Sequence, residues 1–500
     1  MREHVPLLAP APIPPRGAMI ARLAKFLRRR GIDVETFGAV FDIGSRDALQ
    51  AIELAGLFPN AHIVAIECNP GTLELCRSNS ARHPRIRLVE KAIHAYTGRC
   101  QFHPIDTART ATNWPDGNPG ASSLFLATEN YPAEQYVQNT VEVDCIRLDT
   151  LCDTLGIDVI DFIWVDLQGA ELLALQSAGT LLEKTRYIYT EVSHRPLYHG
   201  QCLFDEVDAF LKARGFRCCT KVDRSRWQQD LIYENTRRLI DALIPLGPED
   251  LDMLELCVRS VRAFVPQVRH IYGLSTVDPG IPGVRHIDER LFPFDKDSVR
   301  RGIRSESRAG CYLQQLLKLY FQLVHRVSLE HVLAVDADTI FLKPCRFMDA
   351  ERPIFNFGDH YEPALFEHMM RLYPQLHRMM AWSGITHTQL LTRAWLRELH
   401  QAVEAHHAGK HFWEAYLSCI DVSGPELGAS EAEIYFNFCL RYHPAELTIR
   451  RFNWTCASDL DATGSDRPDY VCLPRELRSG PIDHTKLQQQ ITLALEAQEA

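Results

Sequence analysis

The sequence predicts an α/β protein of two domains. Apolar, β-branched runs ending in small or acidic residues alternate with helix-period segments from about Val40 to Val222, as expected of a parallel, doubly wound sheet. After a polar stretch at 234–238 the pattern restarts with a new apolar strand at 239–246, stopped by Gly247 and Pro248. At 500 residues the chain is too long for one ordinary core. A tail and lead-in helix are placed at 1–34, a first domain at 35–235, a second at 236–487 and a Gln/Ala-rich tail at 488–500.

The composition, 46% hydrophobic and 24% charged, suits soluble domains that each bury a core. A net charge of −10 with no long basic block argues against a nucleic-acid partner and against strong attachment to an anionic membrane. The 15 cysteines follow no pairing pattern, so reduced thiols and a cytoplasmic location are expected. Residues 1–17 carry five prolines and no apolar stretch of a signal peptide, and no apolar run reaches the length of a transmembrane segment.

In the first domain, residues 39–43 form a strand that turns through Gly44 and Ser45 into a helix, and residues 63–67 form a second strand ending in Glu67. In a nucleotide-binding βαβ unit the first turn brings backbone amides to the ligand, and an acid about 20 residues on accepts the ribose hydroxyls. Glu67 stands at that place. A further strand at 160–166 ends in Asp166, another at 189–194 carries Glu191 and His194, and a short one at 230–233 closes the domain.

Asp42-Ile43-Gly44, Ile66-Glu67-Cys68-Asn69-Pro70, Arg147-Leu148-Asp149-Thr150-Leu151 and Val165-Asp166-Leu167-Gln168-Gly169-Ala170-Glu171 resemble, in order and spacing, the successive motifs of the FkbM family of S-adenosylmethionine-dependent O-methyltransferases. The resemblance covers about 35–233 and implies a Rossmann-like methyltransferase domain. By it, Asp42 and Gly44, with Ser45 in the same turn, line the methionine end of S-adenosylmethionine, and Glu67 holds its ribose. Asp166 then stands at the reaction mouth with Glu171 on the next helix, and Ser122 and Ser123 lie in a small polar loop near the cofactor. One position departs from the family, which usually has a second glycine four residues after the first; here it is Ala48. Methylation of a hydroxyl needs a proton acceptor, and Asp166, His194 and Glu191 are the candidates. Histidine is the side chain that ordinarily titrates nearest neutrality.

In the second domain the order is a strand at 239–246, a helix at 250–264, a strand at 268–274 and a long helix near 308–326 with one apolar stripe. Lys318 decorates that helix and is placed to reach a phosphate. Residues 331–344 follow, an apolar strand interrupted by Asp336 and Asp338. Strand alternation points both acids the same way. Converging carboxylates repel unless a hard divalent cation sits between them, and such an ion keeps sites for the oxygens of a diphosphate.

Tyr312-Leu313-Gln314-Gln315-Leu316-Leu317-Lys318-Leu319, Val335-Asp336-Ala337-Asp338-Thr339, Thr386-His387-Thr388 and Ser430-Glu431-Ala432-Glu433-Ile434-Tyr435 resemble a family of bacterial proteins of the GT-A fold, that of sugar-nucleotide glycosyltransferases. The resemblance spans most of 239–487 and implies a GT-A-like α/β domain. By it, Asp338 is the main metal ligand, Asp336 contacts the metal or the donor ribose, and His484 completes the metal shell. The ion is Mn²⁺ or Mg²⁺, a histidine ligand favouring Mn²⁺. Glu431 or Glu433 faces the acceptor hydroxyl.

The combined expectation is a bifunctional enzyme of glycan assembly, using a nucleotide-sugar donor and a glycan or lipid-linked saccharide acceptor. A lipid-linked acceptor implies peripheral membrane contact. Two alternatives stand beside it. HAD-like phosphatases also place D-x-D after an apolar strand, but their motif opens the domain, and their later G-D-x-x-x-D is broken here at Gly358-Asp359 by Pro363. The other is a glycan-docking scaffold with one inactive half.

Overall fold

The computed structural model describes residues 17–247, 250–305, 308–349, 352–424, 427–457, 468–474, 477 and 489. His484, residues 1–16 and, apart from Gln489, the predicted tail at 488–500 lie outside them, while the lead-in helix is Ala18–Arg29. The chain divides between Arg237 and Arg238 into two compact units.

The first unit contains β1 (Ala39–Ile43), β2 (His62–Ile66), β3 (Ile86–Val89), β4 (Ala92–Ile93), β5 (Gly98–Phe102), β6 (Val141–Ile146), β7 (Phe162–Val165), β8 (Tyr187–Ser193), β9 (Phe216–Cys218) and β10 (Gln228–Asn235). Its main sheet runs β3-β2-β1-β7-β8-β10-β9, with β4-β6-β5 as a small side sheet. β1, β2, β3, β7 and β8 are parallel. β10 is antiparallel to β8 and β9, where the sequence predicts a parallel sheet throughout. Too few residues separate Cys218 from Gln228 for a crossover, so this pair can only form a hairpin. Val40 and Phe41, neighbours on β1, enter different apolar clusters and both are fully buried. The sheet is therefore covered on both faces, which is why its strands read as continuous apolar runs.

The second unit contains β11 (Ile240–Pro245), β12 (Val268–Ser275), β13 (Val284–Asp288), β14 (His331–Val335), β15 (Thr339–Phe341), β16 (Met348–Asp349), β17 (Arg352–Phe355), β18 (Thr388–Thr392), β19 (Thr448–Ile449), β20 (Trp454–Cys456) and β21 (Tyr470–Cys472). The main sheet runs β13-β12-β11-β14-β18, with β15-β21-β20 and β16-β17-β19 beside it. β11 to β14 are parallel and β18 is antiparallel to β14. The predicted long helix is Ala309–Val324. β13 was not predicted because it is a half-exposed edge strand whose Arg285 and His286 break any apolar pattern. At the N-terminal end of the sheet Arg269 and Asp241 form a fully buried pair, the guanidinium donating at 2.9 and 2.8 Å. Asp241 also accepts the Leu329 N–H at 2.7 Å, so the buried charge is matched by hydrogen bonds rather than left to one Coulombic contact.

Both units share one device. The chain builds outward from its first strand in one direction, β1 to β3 or β11 to β13, and then returns to set β7 or β14 on the other side. Connections diverge there, leaving a crevice at the carboxyl ends of the two strands, where open α/β sheets bind ligands. Among the described residues, no helix is long and apolar enough to cross a membrane.

Candidate functional site

In the first unit the crevice is shaped by Gly44. Its φ is +87°, and a Cβ there would stand 1.9 Å from the Asp166 carbonyl oxygen, so no other residue fits without displacing the end of β7. The Gly44 and Ser45 N–H groups both donate to Ile66 O at 3.0 Å, tying the turn to β2. Ser45 Oγ donates to Asp42 Oδ2 at 2.5 Å, while Asp42 Oδ1 is buried with no hydrogen-bond partner among the described residues. Burial pushes the Asp42 carboxyl up to about 7. Glu67 accepts N–H groups from Arg46 (2.8 Å), Cys68 (2.8 Å) and Asn69 (2.7 Å), and burial raises its pKa despite them. Ala48 sits at φ +61°, a left-handed position that costs an L-residue about 1–2 kcal/mol. The family's usual glycine would avoid that strain, and here a buried methyl is carried at the start of helix Leu49–Leu57 instead.

Asp166 lines the crevice and is linked through Gln168 to a second carboxylate, Glu191. Gln168 Nε2 donates to Asp166 Oδ1 at 2.7 Å and to Glu191 Oε2 at 2.9 Å, and Gln228 Nε2 adds a bond to Glu191 at 2.8 Å. Burial raises Asp166 to about 6 and, with repulsion from Asp166 and Asp230, raises Glu191 well above its ordinary value. Burial thus shifts both members of the pair toward the neutral form, and their mutual repulsion adds to it for Glu191. Glu171 accepts N–H groups from Leu167 (2.9 Å) and Gly169 (3.0 Å) and so braces the loop that carries Asp166.

Ser122 lines the same pocket and accepts Asn69 Nδ2 at 3.1 Å; Ser123 turns away and donates to Gln168 O at 2.8 Å. His194 is not brought to the pocket. Its ring packs on Phe204, 5.2 Å between centroids, and both ring nitrogens are buried without a hydrogen-bond partner among the described residues. Sequence reasoning gave no role to Asn69, Gln168 or Arg46. Arg46 lies on the pocket wall, over Trp114 at 5.1 Å and paired with Asp116. The cavity measures about 50 Å³, and Arg46 is one of its lining residues.

In the second unit a pocket of about 450 Å³, within the usual range for small ligands, opens at the ends of β11 and β14. Asp336 and Asp338 both line it, but they sit in the turn between β14 and β15, closed by the Thr339 N–H on Asp336 O at 3.0 Å, so strand alternation does not govern them. Lys318 donates to Asp336 Oδ1 and to Glu431 Oε1, each at 2.7 Å. It is a half-buried counter-ion for two acids and still lines the pocket, where the sequence places it to reach a phosphate. His387 Nδ1 stands 3.0 Å from the other Asp336 oxygen. Against the opposing effect of burial, Lys318 and His387 hold the Asp336 carboxyl well below the usual range.

Glu431 and Glu433 separate cleanly. Two positions apart on a helix lie on opposite sides. Glu431 faces the pocket, whereas Glu433 turns inward to Ser383 Oγ and, at 3.0 Å, Asn437 Nδ2. Asp338, His387 and Cys472 bring carboxylate, imidazole and thiol donors within 4.8 Å of one another. Cys456 Sγ lies 3.4 Å from His387 Nε2. Mg²⁺ and Mn²⁺ want oxygen donors; Asp336 has both oxygens engaged, and the donors beside Asp338 are nitrogen and sulfur. The described residues therefore do not fit a hard cation.

Residues 42–218 match the methyltransferase FkbM domain family. Over 165 residues the chain is 36% identical to the 2-O-methyltransferase NoeI of Sinorhizobium fredii (strain NBRC 101917 / NGR234). That match covers 32% of this chain and 66% of the relative, a little under two thirds of its length. Among solved structures, the fibrillarin pre-rRNA processing protein of Methanococcus jannaschii is similar at 12% identity, over 40% of this chain and 67% of that one, with a TM-score of 0.26. Aeropyrum pernix fibrillarin with natively bound S-adenosyl-L-methionine is similar at 11% identity, over 43% and 74%, with a TM-score of 0.26. At such scores the two likenesses carry no argument. The family match stops short of the second unit.

Proposed function

We propose that the first unit is an S-adenosylmethionine-dependent O-methyltransferase acting on a hydroxyl of a glycan. The Gly44 turn supports this most directly. Pressed against the Asp166 carbonyl, it lines a pocket together with the amide-held Glu67, and the strand that ends there carries the buried, unpartnered Asp42 oxygen. Those residues fit the cofactor: Asp42 and Gly44 would hold its methionine end and Glu67 its ribose, and once bound it supplies an electrophilic methyl group. Asp166 takes the proton of the acceptor hydroxyl, and Gln168 fixes its carboxylate in place. The match to a 2-O-methyltransferase supports oxygen as the acceptor atom. The test is transfer of labelled methyl from S-adenosylmethionine to a panel of glycans by the full chain. Labelling that disappears in Asp42→Asn and Glu67→Gln is expected; absence of both cofactor binding and labelling in the intact protein overturns the reading.

A second reading concerns the other unit. Its larger pocket at a second switch point, walled by Asp338, Lys318 and Glu431, supports a sugar-nucleotide glycosyltransferase. Because the hard Mn²⁺ or Mg²⁺ does not fit, no step is assigned to it. Joined in one chain, the two activities would serve the same glycan, tethering raising the effective concentration of the second site. We place this work in the cytoplasm, with peripheral membrane contact where the acceptor is lipid-linked. A thermal-shift panel of nucleotide sugars tests it, since a ligand of the native state raises apparent stability; no shift with any of them counts against the glycosyltransferase.

A further inference from the structure

We infer that the second unit binds a borderline-soft divalent cation of the zinc class through Asp338, His387 and Cys472, with Cys456 as the fourth donor. Strand register assembles the site. Cys456 and Cys472 are direct partners in the parallel β20–β21 pair, so their thiols share a face. Cys472 is also the antiparallel partner of Thr339, the residue after Asp338. The three donors within 4.8 Å of one another need to close by about 1 Å to reach the spacing of ligands around a tetrahedral zinc ion.

The histidine is set up for this role. At φ +59°, His387 is held in a left-handed conformation, with Nδ1 on Asp336 at 3.0 Å and Nε2 turned to Cys456 Sγ at 3.4 Å. A carboxylate on the far nitrogen of an imidazole is the usual support of a metal-ligating histidine. Asp336 is in turn fixed by Lys318, which Glu431 holds from the other side. The acid nearer the strand thus supports the site from outside the ion, and only Asp338 touches it. A set of one carboxylate, one imidazole and two thiols selects zinc over magnesium, calcium or manganese. On binding, the thiols pass their protons to solvent and the sulfur atoms bond the cation as thiolates.

The site stands apart from the glycosyltransferase reading, because its test needs no nucleotide sugar. Full-length reduced protein, stripped with a chelator, is titrated with Zn²⁺ against a chromophoric competitor and separately with Co²⁺ as a spectroscopic substitute. The expected result is about one Zn²⁺ per chain, undisturbed by about a hundredfold excess of Mg²⁺, and a Co²⁺ spectrum with a thiolate charge-transfer band. Cys456→Ser, at an exposed position that leaves the fold intact, should weaken that band and cut Zn²⁺ affinity. Asp336→Asn should keep the band and lower affinity about 10–100-fold. Wild-type protein without the thiolate band, Mn²⁺ bound as tightly as Zn²⁺, or a Cys456→Ser titration indistinguishable from wild type overturns the proposal. So does recovery of Cys456 and Cys472 as a disulfide from protein handled without oxygen.

Discussion

Replacing Gly44 by alanine tests the geometry on which the first pocket depends. Two penalties combine: about 1–2 kcal/mol for an L-residue at φ +87°, and about 1–3 kcal/mol for a Cβ forced against the Asp166 carbonyl oxygen 1.9 Å away. The total, about 2–5 kcal/mol, corresponds to a fall of about 4–20 °C in the melting of a unit this size. Gly156 provides the internal control. Its φ is +68°, but no atom lies within 4 Å of its Cβ position, so Gly156→Ala carries only the conformational penalty, about 1–2 kcal/mol. Scanning calorimetry of both full-length variants should place Gly44→Ala below Gly156→Ala by about 1–3 kcal/mol. Isothermal titration should show loss of S-adenosylmethionine binding in the first and retention in the second. Equal stabilities with cofactor affinity intact in both would refute the claim that Gly44 is there because β7 leaves no room for a side chain.

Other outcomes follow from the same geometry. Methyl transfer at saturating cofactor should rise with pH through about 6, because Asp166 accepts a proton only when ionised; a limb unchanged in Asp166→Asn moves the base elsewhere. The folded pKa of Asp42 lies above its unfolded value of 3.8, so its contribution to the ligand-free first unit is fully present below that value and is lost as pH rises through about 7. Asp42→Asn should flatten that part of the melting profile, and an unchanged slope refutes the assignment. Lys318→Met strands two acids and should cost about 2–4 kcal/mol, less than for a fully buried charge because the Asp336 side chain is 33% exposed; adding Glu431→Gln should restore part of the loss in urea unfolding. His194→Ala should leave turnover within about twofold, and a loss beyond about tenfold returns the histidine to the mechanism.

What could be read from sequence is what sits beside its own signal. Asp42, Gly44, Glu67 and Asp166 each close an apolar run, and parallel strands deliver their carboxyl ends to one edge, so order and spacing located the first pocket. Gln168 belongs to a motif, but its role cannot be read there, because its partner Glu191 lies on another strand and nothing local marks the pair. The second site was less legible for the same reason. Thr386-His387-Thr388 stands out as a pattern, yet its meaning depends on Asp336, Cys456 and Cys472, which pairing across β14, β20 and β21 brings near. The helical stripe places Lys318 but not its partners, since it shows which face is buried and not that Asp336 and Glu431 lie beside the ammonium. Helix geometry alone says that Glu431 and Glu433 cannot both face one pocket, but which of them does depends on Ser383 and Asn437, which hold Glu433 inward.

Each crevice is written entirely within one contiguous stretch: every described residue of the first pocket precedes Arg237, and every described residue of the second follows Arg238. In evolutionary terms the two are separately heritable. A substitution that retunes one pocket falls within that pocket's own half, and recombination at the junction can pass on either set of lining residues whole.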